Sequence, residues 1–377
     1  MELLELSVSG YRSLANVRRL RLQPLNVIVG PNGVGKSNLY RSLYLLHRAA
    51  EGRLARTLLE EGGMPSVVWR GRRRKGRPVR VRIAIELDDL VYELSFGLPV
   101  PSASAFNLDP CMKEEHAWLI TGGRRVRVME RSPGSATVRD ADGNRRTFPF
   151  ALDPAESILS ELRDPAQFPE LARLRQELLG WRFYHQFRTD PASPLRRAQP
   201  SVRTVALAHD GTDLAAALQT IREIGMGDDL QRAVADAFPG ASVEVEGDAT
   251  GMAVGLRMPD FHSPFAQHEL SDGTLQYLCL LAALLTPRPA ALMAFNEPEA
   301  SIHPDLFPAL ARLITAASRR SQVWVTTHAD RLADLLSVDG QGNVIRLQKV
   351  AGETHIVGHS ALGPSPDDDG PLDDPAV

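Results

Sequence analysis

The chain has 377 residues, 43% of them apolar and 24% charged, with a formal net charge of -3. That is material for one elaborate domain or two ordinary ones, and it excludes a protein that coats nucleic acid or membrane over its whole surface. Two cysteines, Cys111 and Cys279, exclude a disulfide framework and point to a reducing, cytoplasmic setting; the start of the chain lacks a signal peptide, and no apolar run is long enough to span a bilayer.

In chain order, residues 3 to 9 and 17 to 22 read as short strands flanking Gly10-Tyr11-Arg12-Ser13-Leu14. The apolar run Leu25 to Val29 then leads into Gly30-Pro31-Asn32-Gly33-Val34-Gly35-Lys36-Ser37, which fits G-x-x-x-x-G-K-S without a mismatch, and a helix is expected from Asn38 to Arg48. A strand that turns through glycines into a helix aims backbone N–H groups inward, where they and the helix dipole hold phosphate. Lys36 reaches the β- and γ-phosphates as a point charge, and the Ser37 hydroxyl is a ligand to Mg²⁺. ATP and Mg²⁺ are therefore the expected ligands, with contacts from Asn32, Gly33, Val34, Gly35, Lys36, Ser37 and Asn38.

From Glu51 the character changes. Arginines crowd Trp69 to Arg82; Val79, Val81, Ile83, Ile85 and Leu87 alternate with polar residues before Asp88-Asp89 turns into Leu90 to Phe96, the pattern of a half-buried hairpin. Short strands are expected around 117 to 121, 125 to 129 and 136 to 148, and helices over 155 to 163 and 169 to 179. Residues 51 to 180 read as a β-rich, then α-helical, insertion without a recognisable motif. The basic run Arg70 to Arg82 suits a solvated hairpin tip, with phosphate contact to DNA or RNA as the alternative.

Trp181 to Phe187 reads as a strand returning to the core. Helices follow over 213 to 224, with Thr212 or Asp213 as N-cap, and over 228 to 238, then strands over 242 to 246 and 252 to 258. Ser271 opens a helix whose apolar face is Leu275, Leu278, Ala282 and Leu285. The buried strand Ala291 to Phe295 ends in Asn296-Glu297-Pro298-Glu299-Ala300-Ser301-Ile302-His303-Pro304. Helix 305 to 317, strand Gln322 to Thr327 ending at His328, helix 330 to 336 and strand 343 to 348 complete the alternation of a parallel sheet. The tail from Gly363, with Asp367-Asp368-Asp369, is expected to be disordered.

Taken alone, Ser271 is an ordinary N-cap and His328 a structural histidine. After a phosphate loop, however, Leu270-Ser271-Asp272-Gly273-Thr274-Leu275-Gln276 resembles the L-S-x-G-x-x-Q signature of ABC ATPases. The Asn296-Glu297 segment resembles their Walker B strand and D-loop, and the strand ending at His328 their switch loop. Asn-Glu-Pro-Glu-Ala-Ser-Ile-His-Pro is similar to the D-E-P-E-x-x-L-H-P of the soluble branch that includes RecF, SMC and OLD proteins, not to the D-E-P-T-S-x-L-D of transporters. The Gly10-Tyr11-Arg12-Ser13 segment is similar to the branch's N-terminal element, whose arginine touches nucleotide. The strings Phe-Tyr-His, Glu-Leu-Ser-Asp-Gly-Thr and Asn-Glu-Pro-Glu also resemble those of a group of bacterial predicted ATPases.

The resemblance implies an α/β P-loop NTPase fold of the ABC ATPase-head type, a mixed, mainly parallel core sheet plus an antiparallel sheet. The head would comprise residues 1 to 50 and 181 to 362, separated by the insertion at 51 to 180 and followed by the tail at 363 to 377. It implies a homodimer closed around ATP, with Glu297 as general base, His328 on the γ-phosphate, and Ser271, Asp272 and Gly273 acting on the partner's nucleotide. Gln186, with His185 as rival, stands for the glutamine loop that reaches Mg²⁺. Asn296 stands where an aspartate would hold the waters on Mg²⁺; the lost charge weakens that bond by about 1 kcal/mol. Because Glu297 is intact, the expectation is a slow ATPase. With no long coiled coil and no nuclease domain after residue 350, a nuclease or other effector would be a separate chain. DNA maintenance or phage defence is one expected setting; an ATP-operated switch that holds or releases a protein partner without touching DNA is the other.

Overall fold

The computed structural model describes residues 1–71, 80–148, 152–200, 202–248 and 251–358. The chain divides into two compact units, one made of Met1–Gln23, Gly30–Trp181 and the segment from Ile345 onward, the other of Pro24–Val29 and Arg182–Val344. The tail from 363 and residues 72 to 79 of the arginine run lie outside the described residues.

In chain order the elements are β1 (Leu3–Tyr11), β2 (Leu14–Arg21), β3 (Leu25–Val29), α1 (Lys36–Glu51), α2 (Leu54–Glu60), α3 (Met64–Val67), β4 (Arg80–Leu87), β5 (Leu90–Gly97), β6 (Cys111–Thr121), β7 (Arg124–Ser132), β8 (Ser135–Arg139), β9 (Arg145–Phe148) and α4 (Pro169–Gly180). All but β3 belong to the first unit. Eight of its strands form one antiparallel sheet in the order β2-β1-β4-β5-β6-β7-β8-β9. No break falls at residue 51. β4 pairs with β1 through Leu6↔Ile85 and Val8↔Ile83, so the strands after the helix continue the sheet that β1 and β2 begin. The physical reason is that β1 would otherwise present an unpaired edge.

β4 shows the expected alternation, with Val81, Ile83, Ile85 and Leu87 buried. β5 is instead buried along its whole length, because long side chains of neighbouring strands cover its polar positions; Arg82 Nε lies 3.0 Å from Glu93 Oε1. The helix expected over 155–163 is only a 3-10 turn at Ile158–Ser160. There the Ser157 hydroxyl and the Ile158 N–H both donate to the buried carboxylate of Glu115, at 2.6 and 3.1 Å, which removes them from any helical ladder.

The second unit contains β10 (Arg182–Tyr184), α5 (Leu214–Ile221), α6 (Gly227–Ala237), β11 (Ser242–Asp248), β12 (Gly251–Arg257), β13 (Phe265–Ala266), α7 (Asp272–Leu284), β14 (Leu292–Asn296), α8 (Phe307–Ala317), β15 (Gln322–Thr327) and α9 (Asp330–Ser337). β10, β14, β15 and β3 run parallel in that order. β3 and β15 are buried on both faces, which is why they read as continuous apolar runs. α7 is buried from Leu275 to Leu284 and shares one core with Val27, Phe295 and Val325. The helix expected over 213–224 stops at Ile221 and passes into a wide turn, Arg222–Met226; Asp213 caps no amide of α5, its carboxylate accepting instead from Ala208 N–H at 2.8 Å. β11, β12 and β13 form a small antiparallel sheet. β16 (Asn343–Val350) carries the chain back to the first unit and turns into β17 (Glu353–Ile356) as a hairpin. No helix among the described residues is long and apolar enough to cross a membrane.

Candidate functional site: a phosphate loop and a strand edge

In the first unit the loop from Gly30 enters α1 at Gly35, a residue with no side chain to cap the helix. The N-cap makes no side-chain hydrogen bond, and the first turn holds no acidic residue. A helix start of this kind is matched to an anion. Lys36, only 4% exposed, folds back over the loop, and its Nζ donates to the carbonyls of Gly30 at 2.6 Å and Pro31 at 3.3 Å. Ser37 and Asn38 are half-buried on the first turn, whereas Asn32 and Gly33 are exposed at the loop tip and Val34 is buried beneath it.

A buried threonine that the sequence reasoning did not single out locks the loop. Thr354 Oγ1 donates to Val34 O at 2.7 Å, lies 2.7 Å from Ser13 Oγ, and its N–H donates to Ser13 O at 2.9 Å. Asn38 Nδ2 donates to the same Ser13 hydroxyl at 2.8 Å. Gly35 sits against this knot with φ 112°, and a Cβ there would come within 2.2 Å of Thr354 Oγ1. Position 35 therefore excludes any side chain, through both its backbone conformation and its neighbours. A threonine in a hairpin more than three hundred residues downstream carries no local motif, which is why spacing could not reveal it.

Beside the loop lies a groove of about 650 Å³ lined by Arg12, Ser13, Gly33, Asn38, Trp69 and Lys349, among others. Arg12, Arg70 and Lys349 give it cationic walls, with no carboxylate among its lining residues. Lys349 Nζ donates to Gly33 O at 3.2 Å. Arg12, at φ 49°, is held by Glu61 Oε2 at 2.8 Å, and Tyr11 donates to the same oxygen at 2.7 Å. Burial, reinforced by Glu61, pushes the Tyr11 hydroxyl far above its ordinary value, so it remains a donor.

In the second unit the parallel strands bring their carboxyl ends level: Val29 pairs with Thr327 and Asn296 with Thr326. The residues that leave this edge are Glu297 after β14 and His328 after β15, while Gly30 continues the chain from β3. His185 and Gln186 both lie exposed just beyond β10. Glu297 has φ 51°, and its N–H donates to Thr326 O at 2.8 Å. A left-handed glutamate costs on the order of 1–3 kcal/mol, a strain that clusters at working sites. Thr326 Oγ1 donates to Asn296 Oδ1 at 2.9 Å, using one of that oxygen's two acceptor positions. Next to them His328 Nδ1 lies 3.8 Å from Glu297 Oε2 and 3.3 Å from Glu299 Oε1.

Ser271 caps α7, its Oγ accepting from Thr274 N–H at 3.2 Å. Arg196, also missed by the sequence reasoning, clamps this helix start: it donates to His268 O at 3.1 Å, Leu270 O at 2.7 Å and Asp272 Oδ1 at 2.6 Å. Gly273 leaves no room for a side chain either, since a Cβ would lie 2.5 Å from Ser301 O. The signature segment and the loop after β14 thus touch within this unit.

In the first unit Ser37 carries a hard oxygen donor of the kind Mg²⁺ takes when phosphate and water supply its other ligands; in the second, the Asn296 amide oxygen is of the kind that accepts from a metal-bound water. Among the described residues no group of three or more His, Cys, Asp or Glu is placed to hold a metal unaided. Ser37, with a single hydroxyl, suits a cation whose other ligands come from phosphate and water.

A family model described as "AAA domain, putative AbiEii toxin, Type IV TA system" matches residues 25–334. No curated protein matches the chain. Among solved structures, the one described as "Crystal structure of the SmcHead bound to the C-winged helix domain of ScpA" is 16% identical with TM-score 0.59, covering 95% of this chain and 98% of that one. A second, "Crystal structure of the Smc head domain with an extended coiled coil bound to the C-terminal domain of ScpA derived from Pyrococcus furiosus", is 14% identical with TM-score 0.51, covering 94% and 96%. At such identities the likeness is one of fold, and the fold is that of an SMC-head P-loop ATPase, mixed α/β with parallel and antiparallel sheets.

Proposed function

The chain belongs to the AAA-domain family whose model it matches, and from that premise we propose that it binds and slowly hydrolyses ATP as a homodimer closed around nucleotide. The observation that carries this reading is the start of α1, entered through Gly35, which has no side chain to cap it, with Lys36 folded over the loop. ATP phosphate supplies the missing cap.

In this reading the loop amides and Lys36 hold the β- and γ-phosphates, and Ser37 with Asn296 would hold Mg²⁺. That ion, when bound, neutralises charge on the phosphates and at the transferring phosphoryl group. Glu297 accepts the proton of a water that attacks the γ-phosphorus; the β–γ bridge bond breaks, and ADP leaves with its oxygen. His328 contacts the γ-phosphate, Gln186 completes the approach to the metal, and Arg12 borders the nucleoside side. Ser271, Asp272 and Gly273 meet the nucleotide of the second copy from the start of α7. Asn296 lowers Mg²⁺ retention about tenfold or less, by the neutral-for-charged exchange of about 1 kcal/mol, so turnover is slow.

The cycle would act on a separate effector protein. Ion pairs in the sheet of the first unit support that reading over a DNA-binding face, because several of its arginines are neutralised: Arg80 with Glu114 at 2.6 Å, Arg125 with Glu86 at 2.7 Å and Arg127 with Glu130 at 2.9 Å. The family description, with its toxin–antitoxin wording, agrees with a defence-type role. The second reading, nucleic-acid contact in DNA maintenance or phage defence, rests on the basic run, of which Arg72, Arg73, Arg74 and Lys75 lie outside the described residues. Changing these four to glutamine lowers the slope of log affinity against log salt by up to ~0.9 per lost phosphate contact if they bind duplex DNA. An unmoved slope leaves the effector reading alone.

The composite site is tested by complementation. Ser271→Arg blocks closure and Lys36→Ala blocks nucleotide capture, so each is inactive alone, while a mixture restores one of the two sites. Mixed dimers without activity sink the dimer reading, and normal ATPase activity in folded Lys36→Ala sinks the site itself.

A further inference from the structure

Glu299 has no part in the chemistry just described, yet it is built into the same strand edge. Its side chain is 3% exposed, and Oε1 accepts from Thr327 Oγ1 at 2.5 Å and from the His328 N–H at 3.0 Å. The same oxygen lies 3.3 Å from His328 Nδ1. Glu299 Oε2 is buried with no hydrogen-bond partner among the described residues. A buried carboxylate short of donors costs free energy that a nearby N–H relieves, and the imidazole nitrogen stands 3.3 Å from its other oxygen, Oε1. The second carboxylate within reach of that nitrogen is Glu297, 3.8 Å away and ten times more exposed, at 32% against 3%.

We propose that Glu299 is the positioning residue of His328: its carboxylate takes the Nδ1–H, which fixes the ring, leaves Nε2 to meet phosphate, and keeps His328 from capturing Glu297. The last effect matters because a carboxylate that already accepts an imidazole N–H is a weaker proton acceptor. Two glutamates two residues apart thereby divide the work. Glu297, left-handed and half-exposed, stays available to water, and Glu299, fully enclosed, holds the histidine. The inference rests on the roles proposed above for Glu297 and His328.

Glu299→Gln separates the roles, since an amide oxygen at the Oε1 position still accepts from Thr327 and His328 N–H while the negative charge that favours a proton on the neighbouring Nδ1 is gone. Nitrogen-15 NMR of histidine-labelled protein, in alkaline buffer where one ring proton remains, should place that proton on Nδ1 in the wild type. Loss of the signals in His328→Asn assigns them. In Glu299→Gln the proton should move towards Nε2; the same ring pattern in both proteins overturns the proposal. Where Glu299→Gln does not fold, Thr327→Val, which loosens the carboxylate without changing its charge, should move the ring in the same direction, and an unmoved ring overturns the proposal equally. Turnover should fall about 10- to 100-fold, the usual effect of losing a partner that orients a histidine, with KM for ATP held within about twofold. A fall in ATP affinity as large as the fall in kcat contradicts a positioning role. A wild-type protein without ATPase activity sinks the functional reading and leaves the NMR comparison to decide this one.

Discussion

The helices α1 and α7 both begin where a sequence reader expects an anion, and they begin differently. α1 opens at a left-handed glycine with no side-chain cap and no acid in its first turn. α7 opens at Ser271, which accepts from Thr274 N–H, and carries Asp272 clamped by Arg196. The first helix start has no side-chain cap from its N-cap residue. The second is complete within one chain, and any phosphate it meets must compete with a cap already made. The same physical feature, a positive helix end, is thus left without a side-chain cap in one case and capped by its own serine in the other.

The largest break in this contrast comes from Lys36→Ala, which removes the cation folded over the loop. Nucleotide binding and turnover are both expected to be lost while circular dichroism and thermal midpoint stay near wild type; equilibrium titration with ATP checks it. Glu297→Gln comes next, keeping shape but not basicity, and should lower kcat by ~10² to 10⁴ with ATP still bound. An intact rate in that variant assigns the proton to another group.

Ser271→Asp sharpens the comparison directly. Aspartate caps as well as serine, so stability should stay within a few tenths of a kcal/mol, whereas a carboxylate facing phosphate should cost turnover on the order of 10². If both stability and turnover survive, α7 is a capped helix and nothing more. Gly35→Ala tests the other helix: its Cβ would meet Thr354 Oγ1 at 2.2 Å, and the strained backbone should cost about 1–3 kcal/mol, read as a lowered midpoint in urea. The smallest effect belongs to Asn296→Asp, which restores a charge beside the metal and should lower the Mg²⁺ concentration for half-maximal activity about tenfold or less, in line with an exchange of about 1 kcal/mol. Identical Mg²⁺ dependence removes position 296 from the metal's surroundings.

The candidate site was legible wherever a residue's role follows from its immediate neighbours. Gly35 and Lys36 act within a turn of their own backbone, and β3, β14 and β15 are continuous apolar runs because both their faces are covered. The expected strand from Trp181 to Phe187 shrank to three residues, Arg182–Tyr184, and the helix over 155–163 to a single turn. At the second of these, a buried Glu115 drew the local hydrogen-bond donors away from the helix. Propensity speaks for the isolated segment, and a buried acceptor overrides it.

What the sequence by itself determined was the phosphate loop, the order of the motifs and the alternation that makes a parallel sheet, because these are set by residues close together in the chain. What only the tertiary structure decided was which distant residues hold them. Thr354 knots the phosphate loop, Arg196 pins the signature, Glu299 encloses the backbone of His328, and β4 extends the sheet of β1. Each of these is a contact between segments tens to hundreds of residues apart. Its energy comes from satisfying buried polar groups and sheet edges, and that requirement has no periodicity or spacing along the chain from which to read it.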